Sequence, residues 1–255
     1  MKYAIVIISG VVIVGYAIAC AAIFVFQRSF LYFPQPRSVT ASEATMVLAV
    51  DGAELVVTVR PHDGPNAIVY FGGNGEDVAQ NLASFSHAFP HHAIFLMHYR
   101  GYGGSSGKPS EKANIADALA LVEAVRARHP DIALLGRSLG SGVAVQVASR
   151  VGASRLVLIT PFDSIIEIGT EIFWYFPIRW LLSDTYESGK FAGSITIPTT
   201  LIEAENDEVI PHASTEKLLS RFKPGVATRT IIKGVGHNDL KRSNIYIETL
   251  QAALK

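Results

Sequence analysis

A serine between two glycines, at the junction of a predicted strand and a predicted helix, most constrains how this chain of 255 residues folds. Segment 136–140 reads Gly-Arg-Ser-Leu-Gly, follows a short apolar run and precedes a helical pattern of small residues. The pattern predicts a strand, a sharp turn with Ser138 at its apex, and a helix. Sterics explain why positions 136 and 140 are glycines, because side chains two positions before and after the serine of so tight a turn would collide. Every fourth residue from Gly140 to Ala148 is small, so we expect this helix to lie close against the sheet.

From residue 45 onward, short β-branched or apolar runs alternate with longer helical patterns. The predicted strands are residues 45–50, 54–59, 67–71, 93–98, 132–136, 155–160, 199–204 and 229–233. The predicted helices are residues 76–89, 113–129, 141–148 and 239–254, the last with Asn238 or Asp239 as its cap. Asp51-Gly52 predicts a hairpin turn between the first two strands. An antiparallel start followed by strand–helix–strand units predicts an α/β fold, with a mostly parallel central sheet and helices on both faces.

The N-terminal residues form a long apolar stretch. Residues 4–26 carry no charge and are flanked by Lys2 and Arg28. A helix of this length spans roughly 35 Å, which exceeds the ~30 Å hydrocarbon core of a bilayer. Cleavage of a signal peptide, or lipidation at Cys20, is the alternative, but the apolar run continues to Phe26 and favours an uncleaved transmembrane helix. An N-terminal single span usually leads the following domain out of the cytoplasm, so we expect the main domain on the non-cytoplasmic side of the membrane.

Two further polar turns follow predicted strands downstream of Ser138. Asp207 lies in the turn after the strand at 199–204, and His237 lies in a glycine-rich turn after the last strand. Because the carboxyl ends of parallel strands meet at one edge of the sheet, we expect these side chains to converge. His237 can accept the proton of Ser138, since imidazole titrates near neutrality, and Asp207 can orient the imidazole. Glu205 and Glu208 are rival candidates for the acidic role.

Nucleophilic attack by a serine on a carbonyl also needs hydrogen-bond donors for the oxyanion. The backbone N–H of Leu139, directly after the serine, is the predicted first donor. The second should come from the glycine-rich loop after the third strand, from the N–H of Asn74 or of Gly73.

Several short segments carry a family resemblance. They are Phe26-Gln27-Arg28-Ser29, Leu31-Tyr32-Phe33-Pro34, Tyr99-Arg100-Gly101-Tyr102-Gly103, Lys108-Pro109-Ser110-Glu111, residues 136–142 and Pro161-Phe162. As a set they resemble the membrane-anchored α/β-hydrolase-domain serine hydrolases, which include protein depalmitoylases and lysophospholipases. The resemblance implies an α/β-hydrolase fold and a triad of Ser138, Asp207 and His237. Many relatives carry His-Gly-Asn in the oxyanion loop, whereas this chain has Gly72-Gly73-Asn74.

These observations divide the chain into three parts. Residues 1–27 are the predicted membrane anchor, residues 28–44 a juxtamembrane linker, and residues 45–255 the α/β-hydrolase catalytic domain. Within that domain, residues 161–197 lie between two predicted strands and contain both tryptophans of the chain, which predicts a small helical cap insert. An apolar cap can form the wall of an acyl-binding pocket, although ordinary packing on the domain is an alternative. The predicted substrate-binding residues are Trp174, Phe176 and Trp180.

Composition excludes several other classes of function. The formal net charge is zero, which argues against nucleic-acid binding. The single cysteine, Cys20, excludes an internal disulfide framework and a cysteine-rich zinc site, and we expect no metal or cofactor. The sequence therefore predicts a serine hydrolase that cleaves an acyl ester or thioester of a lipid-like substrate. A serine peptidase of the same fold and a binding scaffold without catalysis are the alternatives.

Overall fold

A computed structural model of the chain describes residues 2–38 and 45–255. Within them, one sheet contains eight strands in the spatial order β1-β2-β4-β3-β5-β6-β7-β8. The strands are β1 (Thr45–Val50), β2 (Ala53–Arg60), β3 (Asn66–Phe71), β4 (Ala93–Met97), β5 (Asp131–Arg137), β6 (Arg155–Ile159), β7 (Thr199–Asn206) and β8 (Ala227–Gly236). β2 pairs antiparallel with β1 and β4, and the other pairings are parallel. The predicted hairpin is confirmed, with Gly52 at φ +70° in its turn.

Helices cover the sheet on both sides. The helices of the described residues are α1 (Lys2–Leu31), α2 (Leu82–Ala88), α3 (Glu111–Arg126), α4 (Leu139–Ala148), α5 (Ile165–Ile172), α6 (Ile178–Leu181), α7 (Gly189–Ala192), α8 (His212–Arg221) and α9 (Asn244–Ala253). Alternate residues of β3 face opposite hydrophobic clusters: Val69 faces the one shared with α3 and α4, and Tyr70 the one shared with α2 and α9. The predicted mostly parallel sheet with helices on both faces is therefore confirmed.

Three helices differ from the prediction. The helix expected over residues 76–89 is α2, Leu82–Ala88, and a 3-10 turn over Val78–Asn81 precedes it. The last helix begins at Asn244 rather than at residue 239, because a short 3-10 turn over Leu240–Arg242 precedes it. The sequence reading omitted α8 altogether. Its buried face carries hydroxyl groups instead of a continuous apolar stripe: Thr215 donates to the carbonyl of Pro161 at 2.7 Å, and Ser214 accepts the backbone N–H of Asp163 at 3.0 Å. The segment is short and polar overall, and Leu218 is its one buried apolar residue, so few apolar positions mark it as a helix.

The N-terminal helix continues to Leu31, past the end of the predicted anchor at residue 27. The segment after it lies along the domain. Phe33 donates its backbone N–H to the carbonyl of Asn74, and Gly103 donates its own to the carbonyl of Gln35, both at 2.9 Å. The first part of the predicted linker is thus helical or packed on the domain, while residues 39–44 lie outside the described residues.

Candidate active site

The turn between β5 and α4 holds Ser138 in a strained backbone conformation, at φ +50° and ψ −118°. Positive φ costs a residue with a side chain roughly 1–3 kcal/mol, so the surrounding chain must enforce it. A Cβ atom on Gly136 would lie 2.2 Å from the carbonyl oxygen of Gly140, and one on Gly140 would lie 2.0 Å from the carbonyl oxygen of Phe71. The predicted steric reason for both glycines is confirmed.

The structure brings three distant residues into one hydrogen-bonded chain. His237 Nε2 lies 3.0 Å from Ser138 Oγ, and His237 Nδ1 lies 3.0 and 2.9 Å from the two carboxylate oxygens of Asp207. All three side chains are buried or nearly so. Ser138 follows β5, Asp207 follows β7 and His237 follows β8, so the carboxyl edge of the sheet positions each of them. This arrangement can pass a proton from the serine hydroxyl to the imidazole.

Asp207 is itself fixed by backbone donors. One of its carboxylate oxygens accepts the N–H groups of Val209 at 2.9 Å and Ile210 at 2.7 Å. Burial acts to raise the pKa of Asp207, but the hydrogen bonds from His237 and these N–H groups outweigh it and lower that pKa, so the carboxylate stays ionised.

The two rival carboxylates bind backbone groups instead. Glu205 accepts the N–H of Gly234 at 2.8 Å, and Glu208 accepts the N–H of His237 at 3.1 Å. Among residues 2–38 and 45–255, no group of three or more His, Cys, Asp or Glu side chains is placed to hold a metal ion.

Two backbone N–H groups remain open beside Ser138. Leu139 opens α4, and Asn74 lies in the loop after β3; both line the same cavity as the serine, and neither N–H donates to any described residue. The N–H of Gly73, the alternative donor, binds the carboxylate of Glu76 at 2.8 Å. The hydroxyl of Tyr102 donates to the carbonyl of Asn74 at 2.6 Å and holds that residue in place.

A buried ion pair that the sequence reading missed connects the loops of the site. Glu76 accepts hydrogen bonds from Gly73 N, from Tyr70 Oη, and from Arg137 Nη1 at 3.3 Å. Arg137 also donates to the carbonyl of His237 at 3.0 Å. The pair therefore connects the loop after β3 with Arg137, directly before Ser138, and with the backbone of His237, whose side chain contacts Ser138. The charge of Arg137 inside the Gly-x-Ser-x-Gly motif could have indicated an ion pair. The sequence does not identify its partner, because Glu76 lies 61 positions away.

The ionisation of Glu76 follows from this setting. Burial alone would raise the pKa of its carboxyl group, but the positive charges of Arg137 and Lys241, with hydrogen bonds from Asn81 and Gly73, lower that pKa to about 2. Lys241 Nζ lies 2.7 Å from the carboxylate. Glu76 is therefore an anion at neutral pH and holds its donors by charge-assisted hydrogen bonds.

An apolar cavity of about 420 Å³ opens directly above Ser138. Its walls come from α1, from the cap insert and from the loop after β7. Its apolar lining includes Ile23, Leu31, Ile165, Ile168, Ile172 and Phe173. The N-terminal helix therefore contributes to the same cavity as the serine, which the sequence reading did not foresee.

The three predicted pocket residues do not line this cavity. Trp174 is 70% exposed and Trp180 is 84% exposed, so both side chains point away from the domain. Phe176 stacks on Tyr16 of α1, with ring centroids 5.5 Å apart. Composition indicated that the cap is apolar, and it is. The direction of each side chain depends on short helices and turns, whose boundaries cannot be predicted from the sequence pattern.

The sequence is similar to those of several known proteins. It is 32% identical over 229 residues to an uncharacterized protein of Mycobacterium tuberculosis, covering 84% of this chain and 81% of the relative. It is 30% identical to the α/β hydrolase domain-containing protein aho-3 of Caenorhabditis elegans, covering 76% of this chain and 59% of the relative. For α/β hydrolase domain-containing protein 17C of Xenopus tropicalis the identity is 32%, over 62% of this chain and 51% of the relative. No family model matches the chain.

Solved structures share the fold at low identity. The esterase Pf2001 of Pyrococcus furiosus superposes with a TM-score of 0.67 at 16% identity, covering 87% of this chain and 95% of the esterase. Est1E of Butyrivibrio proteoclasticus, bound to ferulic acid, gives a TM-score of 0.66 at 16% identity, covering 82% of this chain and 96% of Est1E. At this identity the likeness concerns the fold.

Proposed function

We propose that this chain, which belongs to the α/β-hydrolase-domain proteins, is a serine hydrolase that cleaves an acyl ester or thioester by way of an acyl-enzyme. The observation that carries the proposal is the hydrogen-bonded chain from Ser138 Oγ through His237 to Asp207. In the first step Ser138 Oγ attacks the acyl carbonyl carbon while its proton moves to His237 Nε2. The ionised carboxylate of Asp207 stabilises the imidazolium that forms.

The negative charge that develops on the carbonyl oxygen needs donors that are already in place. The open N–H groups of Leu139 and Asn74 supply them in this proposal. Collapse of the tetrahedral intermediate breaks the bond to the leaving alcohol or thiol, which takes the proton from His237. A water molecule then attacks the acyl-enzyme, gives a proton to His237, and the carboxylic acid leaves as Ser138 recovers its hydrogen.

The substrate class follows from the cavity and from α1. An apolar chamber of about 420 Å³ beside the serine suits an acyl chain. α1 is long and apolar enough to cross a membrane, and in this proposal it anchors the catalytic domain, residues 45–255, to the bilayer on its non-cytoplasmic side.

Covalent labelling of the full chain in detergent by a fluorophosphonate probe tests the proposal. We expect labelling in the wild type, none in Ser138→Ala, and a rate about 10³- to 10⁴-fold lower in Asp207→Asn, where the imidazole loses its ionised partner. A panel of acyl thioesters, lysolipids and short-chain esters then defines the leaving group. A correctly folded wild type that no probe labels would contradict the proposal and favour a binding scaffold.

A further inference from the structure

The cap insert presents an exposed apolar surface, which we call the cap face. It consists of Ile172, Phe173, Trp174, Tyr175 and Trp180, all between 48% and 84% exposed. Contiguous apolar surfaces of this kind mark contacts with a partner or a membrane. This one contains both tryptophans of the chain and a tyrosine, the residue types enriched where a protein meets a bilayer.

The cap face lies against the side of α1. Tyr16 Oη donates to the carbonyl of Tyr175 at 2.8 Å, while the Tyr16 ring stacks on Phe176. Further along the helix, Gln27 donates to the carbonyl of Leu181 at 3.0 Å and accepts the N–H of Ser183 at 2.5 Å. The cap therefore follows α1 over about three turns, roughly 16 Å of helix.

A polar junction, buried except for the half-exposed side chain of Arg28, fixes this arrangement. Arg28 Nε lies 2.9 Å from the carboxylate of Asp184, which also accepts the hydroxyl of Tyr32 at 3.0 Å. The Tyr32 hydroxyl lies 2.9 Å from that of Tyr186, and Asn114 Nδ2 donates to the latter at 3.0 Å. Because the helix is held to both the cap and the domain, its depth in a membrane sets the depth of the cap.

That depth follows from the helix geometry. Apart from the side that contacts the cap, α1 is not covered by the described chain: most of its apolar side chains from Tyr3 to Phe26 are exposed. If Lys2 marks the far edge of the hydrocarbon core, Tyr16 lies ~21 Å along the helix, and the ~30 Å core extends about 9 Å further, to the level of Ile23. Gln27 and Arg28 then lie in the headgroup region.

We propose that the cap face is inserted into the bilayer beside α1, and that the active-site cavity receives its acyl chain directly from the surrounding leaflet. Trp174 and Tyr175, level with Tyr16, lie in the hydrocarbon, while Trp180, close to the level of Gln27, lies at the interface. Insertion of apolar side chains by 5–10 Å is the usual depth for interfacial protein segments.

The cavity itself supports this route. Ile23 and Leu31 of α1 line the cavity, and so do Ile172 and Phe173 of the cap face. With Lys2 at the far edge of the hydrocarbon core, Ile23 lies at its near edge. A chain already dissolved in the leaflet can reach Ser138 between helix and cap without crossing water. This part of the inference rests on the proposed hydrolase function and specifies its substrate as a bilayer-resident acyl chain.

Intrinsic fluorescence tests insertion of the cap, because both tryptophans lie on it. The full chain is reconstituted in phosphatidylcholine vesicles whose acyl chains carry bromine either near the headgroup or near the methyl end. In Trp180→Phe, which retains Trp174, we expect strong quenching with preference for the deeper bromine. In Trp174→Phe, which retains Trp180, the shallower bromine should quench more. Emission that brominated lipid leaves unchanged and aqueous iodide quenches freely would overturn the inference.

Probe labelling in the same vesicles tests the acyl route. Ile23→Trp narrows the cavity, so the ratio of labelling by a long-chain to a short-chain alkyl fluorophosphonate should fall about tenfold, the equivalent of roughly two lost methylene contacts. Val25→Trp, whose side chain is exposed on α1 and does not line the cavity, is the matched control and should keep the wild-type ratio. An equal ratio in the two variants would overturn the route.

The two readouts separate the inference from the proposed function. Bromine quenching without labelling of Ser138 would contradict the hydrolase proposal and still support insertion of the cap. Labelling of Ser138 without quenching would support the hydrolase and overturn insertion.

Discussion

Ser138 can occupy its strained position because two neighbouring residues lack side chains. The carbonyl oxygens of Gly140 and Phe71 occupy the space where Cβ atoms of Gly136 and Gly140 would lie. The start of α4 therefore comes within contact distance of the end of β3. This close approach brings the N–H of Leu139 toward the loop that carries Asn74. The same glycines that shape the turn therefore also set the spacing of the two N–H groups that we propose as oxyanion donors.

Gly140→Ala tests this dependence. The added methyl group must push the end of β3 away, so we expect a loss of about 1–3 kcal/mol in the free energy of unfolding and a fall in kcat of about 10²-fold or more. Gly152→Ala is the matched control, because the nearest atom to its added Cβ is 3.8 Å away. Urea denaturation and turnover of a short-chain ester measure the two effects. Equal behaviour of the two variants would refute the steric argument.

At the scale of elements, three loops at the carboxyl edge of the sheet depend on one ion pair. Glu76 belongs to the loop after β3, Arg137 ends β5, and the carbonyl that Arg137 binds belongs to His237 after β8. Both charged side chains are buried, so neither charge has bulk water to replace its partner. Removing one partner from such a pair costs about 3–5 kcal/mol, because the other charge remains buried.

Glu76→Gln should therefore lower the free energy of unfolding by about 3 kcal/mol at neutral pH. The pKa of Glu76 is lowered from 4.5 to about 2 in the folded chain. A carboxyl group of this kind stabilises the fold above its unfolded pKa, and the effect is lost as the pH falls through the folded pKa. The stability difference between wild type and variant should thus be full above pH 4.5 and vanish near pH 2.

Urea denaturation across this pH range measures the difference. Glu248→Gln, at an exposed position of α9, is the control and should show little difference at any pH. A Glu76→Gln difference that stays constant down to pH 2 would mean that the ion pair does not account for the stability of this edge.

At the scale of the whole molecule, α1 contributes to the cavity beside Ser138 in addition to its proposed role as a membrane anchor. Its last turns form a wall of the cavity beside Ser138, and the junction of Arg28 with Asp184 holds that wall in register with the cap. Detergent solution separates the two roles of α1. No bilayer is present there to which the helix could attach the domain, but the cavity wall that it forms remains.

Two deletions separate these roles. Removing residues 2–31 takes away the cavity wall, so kcat/KM for a long-chain acyl ester in detergent should fall about tenfold or more through lost apolar contact. Removing residues 2–15 shortens the span but retains Tyr16 and the residues that face the cap, so it should keep the wild-type value. If both deletions keep the wild-type kcat/KM in detergent, the helix does not contribute to the pocket.

Many features of this molecule can be predicted from short stretches of its sequence. The strand–serine–helix turn, the Asp51-Gly52 hairpin and the alternation of strands with helices depend on neighbouring residues, and each is where the pattern predicted it. The apolar N-terminal stretch is likewise a local property, and it forms one helix of 30 residues. Steric exclusion and hydropathy act over a few positions, which is why sequence alone determined these features.

Tertiary structure decided what depends on distant partners. Nothing in the local sequence pairs Glu76 with Arg137; the sheet brings their loops together. The hydroxyl groups of α8 likewise bind backbone groups that lie more than 50 positions away in the chain. The sequence shows that Trp174 and Trp180 are apolar, but only the packing of the cap directs them away from the cavity. Ile23 of α1 lines that cavity instead. Composition states how much apolar surface a segment has; the direction that surface faces is settled by which elements pack against it.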